Sequence, residues 1–292
     1  MNKKIAIIGG SGVHDSPGFK DLEWKVFETK YSNGHGNGVI EYQERKDGVL
    51  FIPRHGHTIK YGPSCTQYGA NLIAAKMLGA DVVIATSAVG SLDGVFTPVK
   101  SLVVADDYID ESGRNDNLFG KGFVVHANPI PAFSEELLTI LYSTATENPH
   151  CFPTGYHNGR TYVCIPGDRF GTKAEGMKRA EYAHIVGMTI CPEAAMAMQL
   201  GMHYAVAAFV VDLNTDANHE CKTLAVMNEL SAPNRVPFYI EQVIKKAKEF
   251  AQYAEPIPNL KGNIIALPSS MEHIQNENLR KIAQGLVQIY CK

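Results

Sequence analysis

The sequence predicts an α/β fold in one domain, a central sheet flanked by helices with its functional site along one sheet edge. Three observations carry that reading. Strand-length segments that are apolar in whole or in large part recur at residues 4–8, 49–53, 82–85, 102–109, 161–165 and 204–211. Stretches with a helical apolar period and start or stop signals lie among them, at 66–78, 134–146, 172–185 and 236–253. Several of the strands end in hydroxyl, glycine or charged residues, and ligands of open α/β sheets bind outside the carboxyl ends of the strands.

Residues 4–8 form the first strand, and Gly9-Gly10-Ser11-Gly12 turns sharply after it. This turn invites a dinucleotide-binding reading, yet counting G-x-G-x-x-G from Gly10 puts Asp15 at the last glycine, and Pro17-Gly18 breaks the helix that should follow. What remains is a turn whose amides and Ser11 hydroxyl suit inorganic phosphate, or a plain tight turn. Residues 24–42 alternate weakly around Ser32-Asn33-Gly34-His35-Gly36, the pattern of an exposed hairpin. Strand 49–53 runs into Arg54-His55-Gly56-His57, where a guanidinium beside imidazoles makes an anion clamp. A metal site ranks below it because no carboxylate or cysteine adjoins the two histidines in sequence. After helix 66–78, strand 82–85 ends at Thr86-Ser87-Ala88-Val89-Gly90-Ser91, small residues and hydroxyls against which a ligand can lie.

Strand 102–109 precedes a long polar segment that includes His126, of a kind used for lids or subunit contacts or for neither. Ser134 and Thr172 are caps for 134–146 and 172–185. Strand 161–165 leads to Pro166-Gly167-Asp168-Arg169-Phe170, where Phe170 can stack on a flat ring or join the core. The stretch 185–220 concentrates the chemistry. Thr189 caps a short helix with Pro192 and Glu193 in its first turn and Gly201 at its stop, and strand 204–211 then delivers Asp212 and Asn214 to one side of its carboxyl end. A carboxylate and an amide so placed suit the edge of a planar heterocycle; taken alone they equally suit a turn that ends a strand. The whole of 1–292 reads as one domain, with 255–292 an extension of unknown role carrying one more helix at 276–291.

Composition narrows the classes of function. With 45% hydrophobic and 20% charged residues and a formal net charge of −3, the chain has the balance of a globular protein and no basic surface for a nucleic-acid backbone. No apolar run reaches membrane-spanning length, and MNKKIAIIGG reads as a first strand rather than a signal peptide. Six cysteines lie far apart without a C-x-x-C pair, which fits free thiols in a cytoplasmic protein.

Taken together, Ile7-Ile8-Gly9-Gly10-Ser11-Gly12, Arg54-His55-Gly56, Ala88-Val89-Gly90-Ser91-Leu92, Gly187-Met188-Thr189 with Pro192-Glu193-Ala194, and the Asp212 strand end resemble the trimeric purine nucleoside phosphorylase family, most closely its methylthioadenosine phosphorylases. The motifs keep the family's order from residue 7 to about 220, and residues after 253 are not covered. The resemblance implies a mixed central β-sheet flanked by helices, a homotrimer, and phosphorolysis: inorganic phosphate as co-substrate displaces a purine from the anomeric carbon, with no metal or organic cofactor. It implies that Ser11, Arg54, His55, Ser87, the Ala88 backbone and Thr189 bind phosphate. Met188 would lie under the ribose, Phe170 would face the base, and His126 would reach the ribose or its 5′ substituent from a neighbouring subunit.

Asp212 is then the donor to nitrogen-7 of a departing adenine, with its pKa raised at a dry strand end beside phosphate. Four positions depart from the family pattern: Ser11 stands for a threonine, Gly187 for an asparagine, Val211 for a threonine, and Asn214 for a second aspartate. Gly187 with Val210-Val211 is more similar to the branch that acts on methylthioinosine, so Asp212 favours adenine while Asn214 leaves a 6-oxopurine substrate as the alternative. A nucleoside hydrolase using water, and a purine-binding protein without activity, are the competing readings. The joint presence of the phosphate ligands and Asp212 ranks both lower.

Overall fold

The segments richest in branched apolar residues pair with one another and leave the polar segments outside. The computed structural model describes residues 4–10, 13, 16, 18–32, 36–214, 223–261, 264–265 and 268–291. In chain order the elements are β1 (Lys4–Gly9), β2 (Lys25–Glu28), β3 (Val39–Glu44), β4 (Val49–Pro53), α1 (Tyr68–Met77), β5 (Ala80–Ser91), β6 (Leu102–Asp110), β7 (Val124–Val125), α2 (Glu135–Glu147), β8 (Tyr156–Cys164), α3 (Lys173–Arg179), β9 (Ile185–Gly187), α4 (Glu193–Gln199), β10 (His203–Leu213), α5 (Thr223–Leu230), α6 (Val236–Tyr253), β11 (Ile264–Ile265) and α7 (Glu277–Tyr290). Nine strands form one mixed sheet in the order β10-β6-β8-β9-β5-β1-β4-β3-β2. Strand β10 also pairs with β5, so β5, β9, β8, β6 and β10 close into a ring.

Strands β1, β4, β5 and β10 run parallel, and their residues are buried almost without interruption, as strands covered on both faces must be. Helix α6 buries Val236, Tyr239, Ile240, Val243, Ile244, Ala247 and Phe250 on one face, the spacing expected of an amphipathic helix lying on a sheet. The extension is packed into the same core. Leu279, Ile282, Ala283 and Leu286 of α7 are buried, and the Asn276 and Asn278 side chains donate to the carbonyl of Thr29. Among the described residues five cysteines are free thiols, and no helix is long and apolar enough to cross a membrane.

Three local expectations are corrected. Strand 82–85 continues through the small polar cluster to Ser91, because β5 hydrogen-bonds β10 in parallel along most of its length and β9 in antiparallel at its end. The helix expected over 172–185 stops at Arg179, although Thr172 caps it with a reciprocal bond to Glu175, and the apolar residues from Ile185 belong to β9. Ser134 precedes α2 without capping it through its side chain, since its hydroxyl bonds Glu136 and His203 instead.

Candidate active site

At one end of the ring the strands leave a cavity of about 270 Å³. It is lined on one side by Gly10, Arg54, His55, Ser87, Ala88 and Thr189, and on another by Phe170, Gly187, Met188, Asp212 and Asn214. Val13, Met227, Leu230 and Val236 add an apolar wall. Nine of the eleven residues singled out from the sequence therefore meet in one place, although they come from loops and strands between 54 and 214. Ser11 lies outside the described residues. His126 is exposed and is not among the lining residues, so within one chain it stands apart from this cavity.

Arg54 is 2% exposed and held by four hydrogen bonds to three residues. Its Nε and Nη2 donate to the two carboxylate oxygens of Glu193, both at 2.8 Å, while Nη1 donates to the Thr86 carbonyl at 2.6 Å and Nη2 to that of Ile8 at 3.2 Å. Burial alone would lower the guanidinium's pKa, but the buried Glu193 carboxylate more than offsets this and keeps Arg54 charged. Tyr204 completes the cluster by donating its hydroxyl to Glu193 at 2.9 Å. Of the five guanidinium N–H groups these bonds use four, which leaves one on Nη1 for a ligand.

His55 donates from Nδ1 to the Tyr61 carbonyl at 3.0 Å, with the Thr66 hydroxyl at 3.1 Å, so this tautomer leaves Nε2 as an acceptor. Burial, and after it the Arg54 charge, push its pKa down to about 4. His57, by contrast, stacks on Trp24 at 4.0 Å between ring centroids and takes no part in the cavity. The unfolded chain protonates His55 near the ordinary histidine value of about 6.5, whereas the folded chain resists until about 4. Folding stability is therefore expected to fall as pH drops through this interval. Melting temperature measured from pH 7 to pH 4 should decline more steeply in the native protein than in His55→Gln, and parallel curves would contradict the assignment.

The hydroxyls of Ser87 and Thr189 lie 3.2 Å apart, Ser87 on β5 and Thr189 on the loop after β9. That position explains a further correction: Thr189 does not cap α4, whose N-cap is Pro192 without a side-chain bond. Ser87 Oγ also meets the phenol oxygen of Tyr162 at 3.0 Å. Tyr162, on β8, occupies the room left by Gly187 on the neighbouring β9, since a Cβ on Gly187 would overlap the phenol oxygen. The Met188-Thr189 loop is gripped from behind by Arg114, which donates to the carbonyls of Met188 at 2.8 Å and Cys191 at 2.5 Å and also to that of Pro166.

Asp212 is the penultimate residue of β10 and 8% exposed. Its carboxylate lies over Gly90, where a Cβ would come within 2.6 Å of Oδ1, and the Thr223 hydroxyl approaches Oδ2 at 3.4 Å. Asn214, also 8% exposed, anchors its backbone N–H on the Ser91 carbonyl at 2.8 Å and packs against Gly171 and Gly176. Phe170 is 57% exposed at the mouth, free of the core role that most phenylalanines have.

Sequence reasoning missed Glu193 as a member of the site, and it missed Tyr162 and Arg114 altogether. A carboxylate in a run that is otherwise apolar, Pro192 to Met198, was the available signal for Glu193, because a buried acid needs a partner. For Tyr162 and Arg114 nothing in the local pattern pointed inward.

The sequence pattern of the phosphorylase superfamily matches residues 4–236. An S-methyl-5′-thioadenosine phosphorylase of Thermococcus kodakarensis is 36% identical over 245 residues, covering 83% of this chain and 91% of that protein. The crystal structure of a methylthioadenosine phosphorylase from an Antarctic soil metagenomic library superimposes with a TM-score of 0.80 at 28% identity, over 96% of this chain and 99% of that one. A mutant of the adenosine/methylthioadenosine phosphorylase of Schistosoma mansoni, in complex with methylthioadenosine, gives 0.72 at 25% identity over 87% and 98%. With four-fifths of its length matched by that pattern, and with the expected cavity formed at the expected motifs, the chain belongs to the phosphorylase superfamily, on the branch of the S-methyl-5′-thioadenosine phosphorylases.

Proposed function

We propose that the protein cleaves the N-glycosidic bond of 5′-methylthioadenosine with inorganic phosphate, releasing adenine and 5-methylthioribose 1-phosphate. The observation that carries this reading is the division of one cavity into an anion side, with Arg54, His55, Ser87, Ala88 and Thr189, and a heterocycle side, with Phe170, Asp212 and Asn214. Phosphorolysis passes through a sugar cation between an incoming anion and a departing purine. Fixed donors on the anion side hold phosphate against the cation, and an acid on the other side stabilises the leaving group.

On the anion side, the hydroxyls of Ser87 and Thr189, the exposed backbone at Ala88 and the remaining Arg54 N–H donate to phosphate oxygens. Neutral His55 accepts the proton of a monohydrogen phosphate at Nε2. Ser11 is a further phosphate ligand on this reading, on the strength of its place in the Gly9-Gly10-Ser11-Gly12 motif. On the other side Asp212, in its acid form, donates to nitrogen-7 of adenine while its carbonyl oxygen accepts from the exocyclic amine. Asn214 supports the base edge, Phe170 covers the ring at the mouth, and Met188 lies under the ribose. The apolar wall of Met227, Leu230 and Val236 suits a methylthio group better than a hydroxyl at the 5′ position. The same reading makes the protein a one-domain cytoplasmic enzyme that needs no metal or organic cofactor. It also makes it a homotrimer in which His126 of a neighbouring subunit completes the 5′ end of the site.

Asn214 and Gly187 favour a second substrate class, the 6-oxopurine nucleosides, because an amide reads a carbonyl edge as well as an amine edge. Base release from methylthioadenosine, adenosine, methylthioinosine and inosine, with and without phosphate, tests both readings. Adenine release from methylthioadenosine that stops when phosphate is withheld is the expected outcome. Turnover without phosphate would mean hydrolysis, and a preference for the inosine forms would overturn the substrate assignment while sparing the phosphate site.

A further inference from the structure

Tyr162 stands behind the wall of the cavity rather than in it, is fully buried, and has its phenol oxygen 3.0 Å from Ser87 Oγ, which in turn lies 3.2 Å from Thr189 Oγ1. We infer that Tyr162 is a positioning residue for the co-substrate: its phenol donates to Ser87 Oγ, turning the Ser87 proton outward to phosphate, and Gly187 exists to make room for it. The inference rests on the reading of the Ser87–Thr189 side as the phosphate site.

The direction of the relay follows from the chemistry of the three hydroxyls. Each can donate one hydrogen bond and accept two, so with the cavity empty several arrangements are open. A phosphate dianion carries one O–H, which on this reading goes to His55 Nε2; its other oxygens only accept, and they require the protons of Ser87 and Thr189 to face them. A phenol is a better donor and a poorer acceptor than an alkyl hydroxyl, and burial pushes the Tyr162 phenol well above the ordinary tyrosine range, so it stays protonated. Its own proton must find an acceptor in a dry place or leave a buried donor unmade. Ser87 Oγ at 3.0 Å is the acceptor, with Thr189 also within hydrogen-bonding reach of the phenol, and accepting there turns the Ser87 proton away from Tyr162 and leaves it available to the ligand. Gly187 permits this geometry, since any side chain at 187 would displace the phenol oxygen.

Tyr162→Phe keeps the ring and removes only the donor. In steady-state assays of the full-length protein its KM for phosphate should rise roughly 5- to 10-fold, the scale of one lost hydrogen bond. The KM for the nucleoside should stay within about 2-fold. In a Ser87→Ala background the same substitution should have almost no effect on the phosphate KM, because the group it acts through is gone. An unchanged phosphate KM in Tyr162→Phe, a parallel rise in both KM values, or additive losses in the double variant would each overturn the role. Should Tyr162→Phe be too unstable to assay, 3-fluorotyrosine placed at 162 strengthens the donor. The phosphate KM should then fall, and an unchanged or raised value would overturn the role. A native protein that turns over nucleoside without phosphate would instead remove the reading on which the inference rests.

Discussion

Glu193→Ala should destabilise the protein by about 3–5 kcal/mol and abolish measurable turnover, the largest stability effect expected of any single change near the cavity. Arg54 is 2% exposed and Glu193 fully buried, so truncating the acid leaves a guanidinium in the core without its counter-charge and takes the acceptor from the Tyr204 hydroxyl. The guanidinium cannot escape by losing its proton. A loss of that size is a large share of the stability of an ordinary domain. Removing both charges together, as Arg54→Met with Glu193→Leu, should recover most of the stability, because apolar pairs of similar volume replace buried ion pairs at little cost. It should not recover activity, because the Nη1 donor is absent. Urea denaturation of the single and double variants would test this. A Glu193→Ala midpoint close to that of the native protein would mean that Arg54 finds another partner or turns to solvent.

The same pair shows where a sequence stops being legible. Arg54 could be expected at the cavity from its strand-end position, but its partner lies 139 residues away and no local spacing connects them. The strands at 4–8, 49–53 and 204–211 were legible because a strand buried on both faces is continuously apolar, as are the first four residues of the strand at 102–109. The last six residues of β5 were not, because Thr86 to Ser91 are small or hydroxylic and are held extended by two neighbours distant in sequence, β10 and β9. The helix predicted over 172–185 failed for the converse reason. Ala183, Ile185 and Val186 fit a helical period as well as they fit the cores they join, Ile185 the main one and Ala183 and Val186 a small second one with Val163 and Ile165. Tyr162 and Gly187 act as a unit only because β8 and β9 are adjacent, which is a fact of topology. Residues that line the cavity were picked out where residue type alone restricts chemistry, as at Ser87, Thr189 and Asp212. Those that orient them were not.

Asp212→Asn should lower turnover of adenine nucleosides by about 10²- to 10⁴-fold, the usual contribution of a positioned general acid, and leave turnover of the 6-oxopurine forms within about 10-fold of its starting value. The two carboxylate oxygens and the amide that would replace them have nearly the same shape, so the change tests proton transfer rather than packing. A departing adenine must be protonated at nitrogen-7, which a carboxyl can do and an amide cannot. A departing 6-oxopurine spreads its charge onto the ring carbonyl, where an amide N–H stabilises it without giving up the proton. The position is suited to the acid role by its 8% exposure, since burial penalises the charged form of a carboxyl. Asn214 sharpens the expectation. It already supplies an amide on the same side of the strand, so Asp212→Asn makes both base-facing groups amides and removes the one acid that lines the cavity among the described residues. The kcat/KM values for methylthioadenosine and methylthioinosine, measured in the native protein and the variant, give the ratio that decides the matter. A shift of that ratio towards the inosine form by 100-fold or more assigns base selection to Asp212. Equal losses on both substrates would mean that the carboxyl serves the architecture of the site and not the choice of base.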